Sequence, residues 1–215
     1  MSAGTPSLRL VLVRHGETEW TERGLLHGRL DSPLSPTGRR HVEQTASRLR
    51  GEHFDALYSS PLGRATQTAD ILGQALGIKP VPLAGLHEMD FGWTEGKPLR
   101  WFDPDGTGAR LFRPVMHFMH TLTAERPEHF AARLRAAVRH IESRHPGGRV
   151  LAVTHWAAIS MLMAILVDQD LQGWRAHGPW AAGGITELYA TDGCWQVASL
   201  NDHKHLIETI SLGET

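Results

Sequence analysis

A chain of 215 residues with 41% apolar and 21% charged residues has the make-up of one ordinary globular domain, which sets aside disordered and fibrous classes. Its formal net charge of −1 supplies no overall field for nucleic acid or an anionic membrane, though it leaves room for a local cationic pocket. Cys194 is the single cysteine, so an internal disulfide is impossible and a thiolate metal site is not expected. Met1–Ser7 carries neither a basic n-region nor a long apolar stretch, so no signal peptide and a cytoplasmic location are expected.

Leu8–Val13 is a near-continuous apolar run, the pattern of a central strand covered on both faces. Ser35-Pro36 reads as N-cap and first residue of a helix that carries Val42, Ala46 and Leu49 on one side, with Gly51 just beyond. Ala56–Ser59 is a short strand. Gly63 to Leu76 is a helix with Ala65, Ala69, Leu72 and Leu76 on one face and Gly77 as its stop. Residues 93 to 126 hold Pro98, Pro104 and Pro114 and a short helical pattern from Val115 to Leu122; they are expected to form a cap over the site rather than part of the sheet. Phe130, Leu134, Val138 and Ile141 mark an amphipathic helix from about Glu128 to Arg144, ended by His145-Pro146-Gly147. Val150–Val167 approaches the length of a membrane span, but Thr154, His155 and Ser160 interrupt it; it reads as a buried strand, Val150–Val153, entering a buried helix from about Trp156. Thr186–Ala190 and Trp195–Leu200 flank Thr191-Asp192-Gly193 as a hairpin. Strands alternating with helices predict a single α/β domain over residues 1–215, with helices on both faces of the sheet.

Three of these strands end alike. Leu8–Val13 delivers Arg14-His15-Gly16, Ala56–Ser59 delivers Ser60-Pro61-Leu62-Gly63-Arg64, and Val150–Val153 delivers Thr154-His155. Ligands of open α/β sheets bind beyond the carboxyl ends of the strands, so parallel neighbours would gather two histidines and two arginines in one pocket. That set suits phosphoryl transfer, in which positioning and stabilisation of oxygen charge dominate. Arg14 and Arg64 offer forked donors, His15 a nucleophile competent near neutral pH, and His155, if protonated, a charged donor. Gly16 would let backbone approach the ligand, and helix N-termini would add N–H donors. A leaving alkoxide needs a proton, for which Glu88 in Leu86-His87-Glu88-Met89-Asp90 is the best candidate.

Five ordered blocks resemble the histidine phosphatase superfamily, the phosphoglycerate mutase-like and acid-phosphatase-like enzymes. They are Leu12-Val13-Arg14-His15-Gly16-Glu17-Thr18-Glu19-Trp20 with Gly28-Arg29-Leu30-Asp31-Ser32-Pro33-Leu34; Ser59-Ser60-Pro61-Leu62-Gly63-Arg64-Ala65; Glu88 with Phe91-Gly92-Trp93-Thr94-Glu95-Gly96; Val153-Thr154-His155; and Leu200-Asn201-Asp202. The resemblance implies a three-layer α/β/α sandwich with a mostly parallel central sheet, phosphorylation of His15, a phosphoryl group held by Arg14, Arg64 and His155, Glu88 as proton donor, and neither metal nor cofactor. It further places Thr18 and Gly28 beside the phosphate. The family pattern has Asn where this chain has Thr21 and Gln where it has His27; a hydroxyl and an imidazole still donate hydrogen bonds, so altered affinity rather than lost activity is expected.

Fourteen histidines, including His117 and His120 one helical turn apart, raise the question of a metal, but no His-Glu-x-x-His or two-His-carboxylate pattern occurs. Mutases of the family hold a second phosphate with added cations. Here Glu88 is followed by Met89-Asp90, and Asp90 would repel such a group. The block from Phe91 to Gly96 resembles the bacterial broad-specificity phosphatase branch. The expected partner is a small phosphorylated metabolite, with Trp101 and Phe102 placed to meet an apolar leaving group. The alternatives are a phosphoglycerate mutase-type phosphoryl transferase and a catalytically weakened phosphate-binding module.

Overall fold

The computed structural model describes residues 7–101, 119 and 121–206. In chain order the regular elements are β1 (Leu8–Arg14), α1 (Glu19–Glu22), α2 (Pro36–Leu49), β2 (Ala56–Ser59), α3 (Gly63–Leu76), β3 (Pro80–Pro82), α4 (Pro127–Arg144), β4 (Arg149–Thr154), α5 (Trp156–Leu162), β5 (Ile185–Thr191) and β6 (Cys194–Asp202). The six strands form one sheet in the order β3-β2-β4-β1-β5-β6. β1 to β4 run parallel, and β5 pairs antiparallel with β1 and with β6, the expected hairpin.

Alternation along the central strands builds two cores. Leu10 and Leu12 of β1, with Val150 and Ala152 of β4, pack against Phe130, Leu134 and Ile141 of α4 and the buried side of α5. Val11 and Val13, with Leu151 and Val153, meet Val42, Ala46 and Leu49 of α2 and Ala65, Ala69 and Leu72 of α3. This is the three-layer α/β/α arrangement expected of strands that are apolar on both faces. Phe130 is fully buried, and its truncation to Ala should cost about 3–5 kcal/mol.

Helix limits follow local chemistry. The Ser35 side chain accepts from the Gly38 N–H, and Pro36 occupies the first turn. The stretch after β4 departs from the expected continuous helix: α5 ends at Leu162, a π turn covers Met163–Asp168, and Gln169 closes it in the left-handed region. Among the described residues no helix is long and apolar enough to cross a membrane. Of the expected cap, residues 102–118 and 120 lie outside the described residues, and with them Phe102, His117 and His120.

Candidate active site

The sheet register brings the predicted residues together. Val13 and Ser59 both pair with Val153, and Arg14 pairs with Thr154. One step further, the His15 N–H donates to the Thr154 carbonyl at 2.9 Å and the Ser60 N–H to the Val153 carbonyl at 2.9 Å. His15, Ser60 and His155 therefore leave three adjacent parallel strands at one level, and the His15 and His155 rings lie 5.1 Å apart. Both imidazoles are buried.

The hydrogen bonds of His15 fix its tautomer. Nδ1 lies 2.8 Å from the Gly16 carbonyl oxygen, an acceptor only, so Nδ1 carries the proton. Nε2 is left as a lone pair and accepts from Arg64 Nε–H at 3.3 Å. Burial, then Arg64 and Arg14, hold the His15 pKa well below the ordinary histidine value, so the ring stays neutral. A Cβ at Gly16 would lie 2.6 Å from Val42 Cγ2, so the missing side chain also admits α2.

Arg64 is fully buried at the start of α3. Its Nη1 donates to the Leu30 carbonyl and to Asp31 Oδ1, both at 2.9 Å, and Nη2 donates to the Gly28 carbonyl at 2.7 Å. Three of the five guanidinium N–H groups thus hold the arginine in place, leaving the Nε–H that meets His15 and one Nη2 N–H. Gly28 is in the left-handed region (φ +68°), and a Cβ there would strike the Glu95 carboxylate. That carboxylate accepts from the N–H groups of Arg29, Leu30 and Phe91, and so holds the loop whose carbonyls grip Arg64. Arg14 is anchored by its Nη1 on the Trp180 carbonyl, while its buried Nε has no hydrogen-bond partner among the described residues. Asn201 in turn binds the Ala181 N–H and the Pro179 carbonyl around that residue.

Glu88 is buried beneath the N-terminus of α5. Oε1 accepts from the Met89 and Ala158 N–H groups at 2.9 and 3.1 Å, and Oε2 from the Ala157 N–H at 3.1 Å. Burial raises the Glu88 pKa above the usual carboxylate value, against the pull of these N–H groups, Arg64 and Arg14. Its loop is held by Arg133 of α4, which donates to the carbonyls of Gly85, His87 and Glu88 while paired with Glu125 at 2.8 and 2.9 Å.

The expectation that helix N-termini would present N–H donors to a ligand is corrected by these contacts. The Gly63 and Arg64 N–H groups at the start of α3 go to Asp31, and those of α5 go to Glu88. Each terminus already carries a protein carboxylate, which satisfies its dipole. Burial, then Arg64 and His15, hold the His155 pKa well below the ordinary histidine value, which favours the neutral ring. Its Nε2 lies 2.7 Å from Ser60 Oγ.

At the rim, Thr18 Oγ1 contacts Thr21 Oγ1 at 3.0 Å and His27 Nε2 at 2.8 Å, and His27 Nε2 also lies 3.2 Å from Ser32 Oγ. The two residues that depart from the family pattern share one hydroxyl. Burial, then Arg64, push His27 down to about 4, so it is neutral too. Ser60, Asp31, Glu95 and Arg133 were not singled out by sequence as site residues. The first three lay inside the recognised blocks, where an unassigned polar residue was the available signal; Arg133 gave none. Among the described residues no group of three or more His, Cys, Asp or Glu side chains is arranged to hold a metal ion.

The family model of the histidine phosphatase superfamily (branch 1) matches residues 10–203. The chain is 29% identical over 197 residues to the "uncharacterized phosphatase PhoE" of Bacillus subtilis, covering 91% of this chain and 95% of that protein. It is 29% identical over 218 residues to the "probable phosphoglycerate mutase GpmB" of Yersinia enterocolitica, covering 93% and 95%. Among solved structures, Bacillus stearothermophilus YhfR superposes with a TM-score of 0.80 at 30% identity, covering 93% of this chain and all of that one (100%). The chain belongs to the histidine phosphatase superfamily, branch 1.

Proposed function

We propose that this protein is a metal-independent phosphatase that hydrolyses small cytoplasmic phosphate monoesters through a phosphohistidine on His15. The observation that carries the reading is the state of His15: Nδ1 is tied to the Gly16 carbonyl, and Nε2 is an unprotonated lone pair beside the Arg64 Nε–H. A neutral, oriented imidazole next to a fixed guanidinium is what nucleophilic attack on a phosphate requires.

In the first step the Nε2 lone pair forms a bond to phosphorus and the ester P–O bond breaks. Its electron pair leaves on the alcohol oxygen, which takes the proton held by Glu88. Arg14 and Arg64 balance the charge on the phosphoryl oxygens, and His155 donates a hydrogen bond to them. In the second step water attacks phosphorus and gives a proton to the Glu88 carboxylate. The P–N bond breaks, its electron pair returns to Nε2, and inorganic phosphate leaves. A raised Glu88 pKa supports both roles, since the group must hold a proton in one step and accept one in the next. Thr18, Thr21, His27 and Gly28 border the phosphate at the rim, and the whole chain acts as one domain.

Transfer to water rather than back to the substrate is supported by the surroundings of Glu88. Met89 is buried, Asp90 follows it, and the Asp90 N–H donates to Glu125. Asp90 and Glu125 put two carboxylates close to the Glu88 loop, and Arg133 is already committed to Glu125 and three carbonyls. The test is a panel of phosphorylated metabolites incubated with chelator, read for free phosphate, with alkaline quench to trap acid-labile phosphohistidine. Phosphate release that persists in chelator and vanishes in His15→Ala is the expected result. Isomerised phosphoglycerate without free phosphate would overturn it in favour of a mutase.

A further inference from the structure

Ser60 lies at the end of β2, fully buried, and its hydroxyl has two neighbours. The Leu62 N–H donates to Oγ at 3.3 Å, and His155 Nε2 stands 2.7 Å away. A hydroxyl has a single proton to give. If His155 Nε2 carried a hydrogen, Oγ would accept from two N–H groups and the buried serine proton would have no acceptor. Such an orphan donor is destabilising. The other assignment gives the serine proton an acceptor and leaves a single donor open to a ligand: Ser60 O–H donates to Nε2, and the neutral ring bears its hydrogen on Nδ1. Nδ1 is buried and has no partner among the described residues, and its ring packs beside the His15 ring.

We propose that Ser60 is a positioning residue that fixes His155 as the Nδ1–H tautomer, so that the neutral ring presents an N–H, rather than a lone pair, to a phosphoryl oxygen on its way to or from His15. The inference rests on the reading of the site as a phosphoryl pocket, but the tautomer itself does not depend on turnover. The two histidines are then held in the same protonation form by opposite means. In His15 a carbonyl acceptor takes Nδ1–H and frees Nε2 for attack. In His155 a hydroxyl donor takes up Nε2 and leaves Nδ1–H for the ligand. Loss of the Ser60 hydroxyl removes what selects between the tautomers, and a lone pair then faces phosphoryl oxygen for part of the time.

The test is 15N spectroscopy of histidine-labelled protein, with the His155 signals assigned by their loss in His155→Asn. In the wild-type protein His155 should show a protonated, pyrrole-type Nδ1 and an unprotonated, pyridine-type Nε2. A protonated Nε2 in the wild type, alone or with Nδ1, overturns the proposal, and this measurement needs no variant to fold. Ser60→Ala should move His155 towards the Nε2–H tautomer, leave the His15 signals in place and weaken inorganic phosphate binding about tenfold. Ser60→Thr should restore both. A Ser60→Ala protein that keeps the Nδ1–H tautomer and its phosphate affinity also overturns the proposal. If no phosphate ester is turned over while the tautomer and binding shift as stated, the positioning role stands and the hydrolase reading falls. Turnover with an Nε2–H wild type gives the converse.

Discussion

At the floor of the pocket four side chains of the candidate site are gripped by backbone. The Gly16 carbonyl holds His15, the Gly28 and Leu30 carbonyls hold Arg64, the Trp180 carbonyl holds Arg14, and three N–H groups hold Glu88. At the rim, the side chains of Thr18, Thr21, His27 and Ser32 hold one another, with the Thr21 N–H also donating to Thr18 Oγ1 and the Trp20 N–H to Ser32 Oγ. Main-chain grips are set by the path of the chain and cannot repack when a neighbouring side chain changes, whereas a mutual side-chain cluster can exchange members. The floor should therefore fail abruptly on substitution and the rim should adjust.

The largest effect is expected for His15→Ala, which removes the proposed nucleophile. Steady-state hydrolysis of an aryl phosphate should fall by at least roughly 10³-fold, without trapped phosphohistidine. Glu88→Gln should follow. A carboxamide cannot supply the alcohol's proton, so kcat should drop about 10²- to 10⁴-fold for alkyl phosphates. The drop should be smaller for a nitrophenyl ester, whose leaving group departs as a stable anion. An equal loss with both esters would mean that Glu88 contributes by position alone.

Asp31→Asn comes next and tests the grip itself. Asp31 accepts from the Arg64 Nη1 and from the Gly63 and Arg64 N–H groups, so its carboxylate joins the arginine to the start of α3. A hydrogen bond between charged groups is worth about 1.5–3 kcal/mol, and kcat/KM should fall about 10- to 100-fold, mostly in kcat. A change confined to KM would show that Arg64 keeps its aim without Asp31.

The same division explains what the sequence made legible. The apolar run of β1 marked it as a central strand covered on both faces, and the like endings of β1, β2 and β4 gave the condition that, if parallel, they bring His15, Arg64 and His155 to one end. Residues that act by gripping were harder to see. Arg133 is an arginine on an amphipathic helix, and its spacing resembles that of any solvated charge until the loop at Gly85–Glu88 is folded against it. The helix N-termini misled for a related reason: their free N–H groups are visible in sequence, but their occupants, Asp31 and Glu88, arrive from distant segments. Thr21 and His27 were read as separate departures from the family pattern. Their meeting at Thr18 spans a turn whose geometry no periodicity reports.

The smallest effects belong to that pair. Thr21→Asn and His27→Gln should each change KM by no more than about fivefold, because either amide can take up a hydrogen bond to Thr18. The pH dependence of stability should separate them. His27 titrates at about 4 in the folded protein, against an ordinary value near 6.5, so between these limits the unfolded chain binds a proton that the folded chain refuses. Stability should fall as pH is lowered from about 6.5 towards about 4, with buried His15 and His155 acting in the same direction. His27→Gln removes one of these groups and should flatten the descent of Tm over that window, while Thr21→Asn, which titrates nothing, should leave the slope unchanged. An unchanged slope in His27→Gln would show that the rim histidine accepts a proton as readily folded as unfolded, and that the rim opens to water where the floor does not.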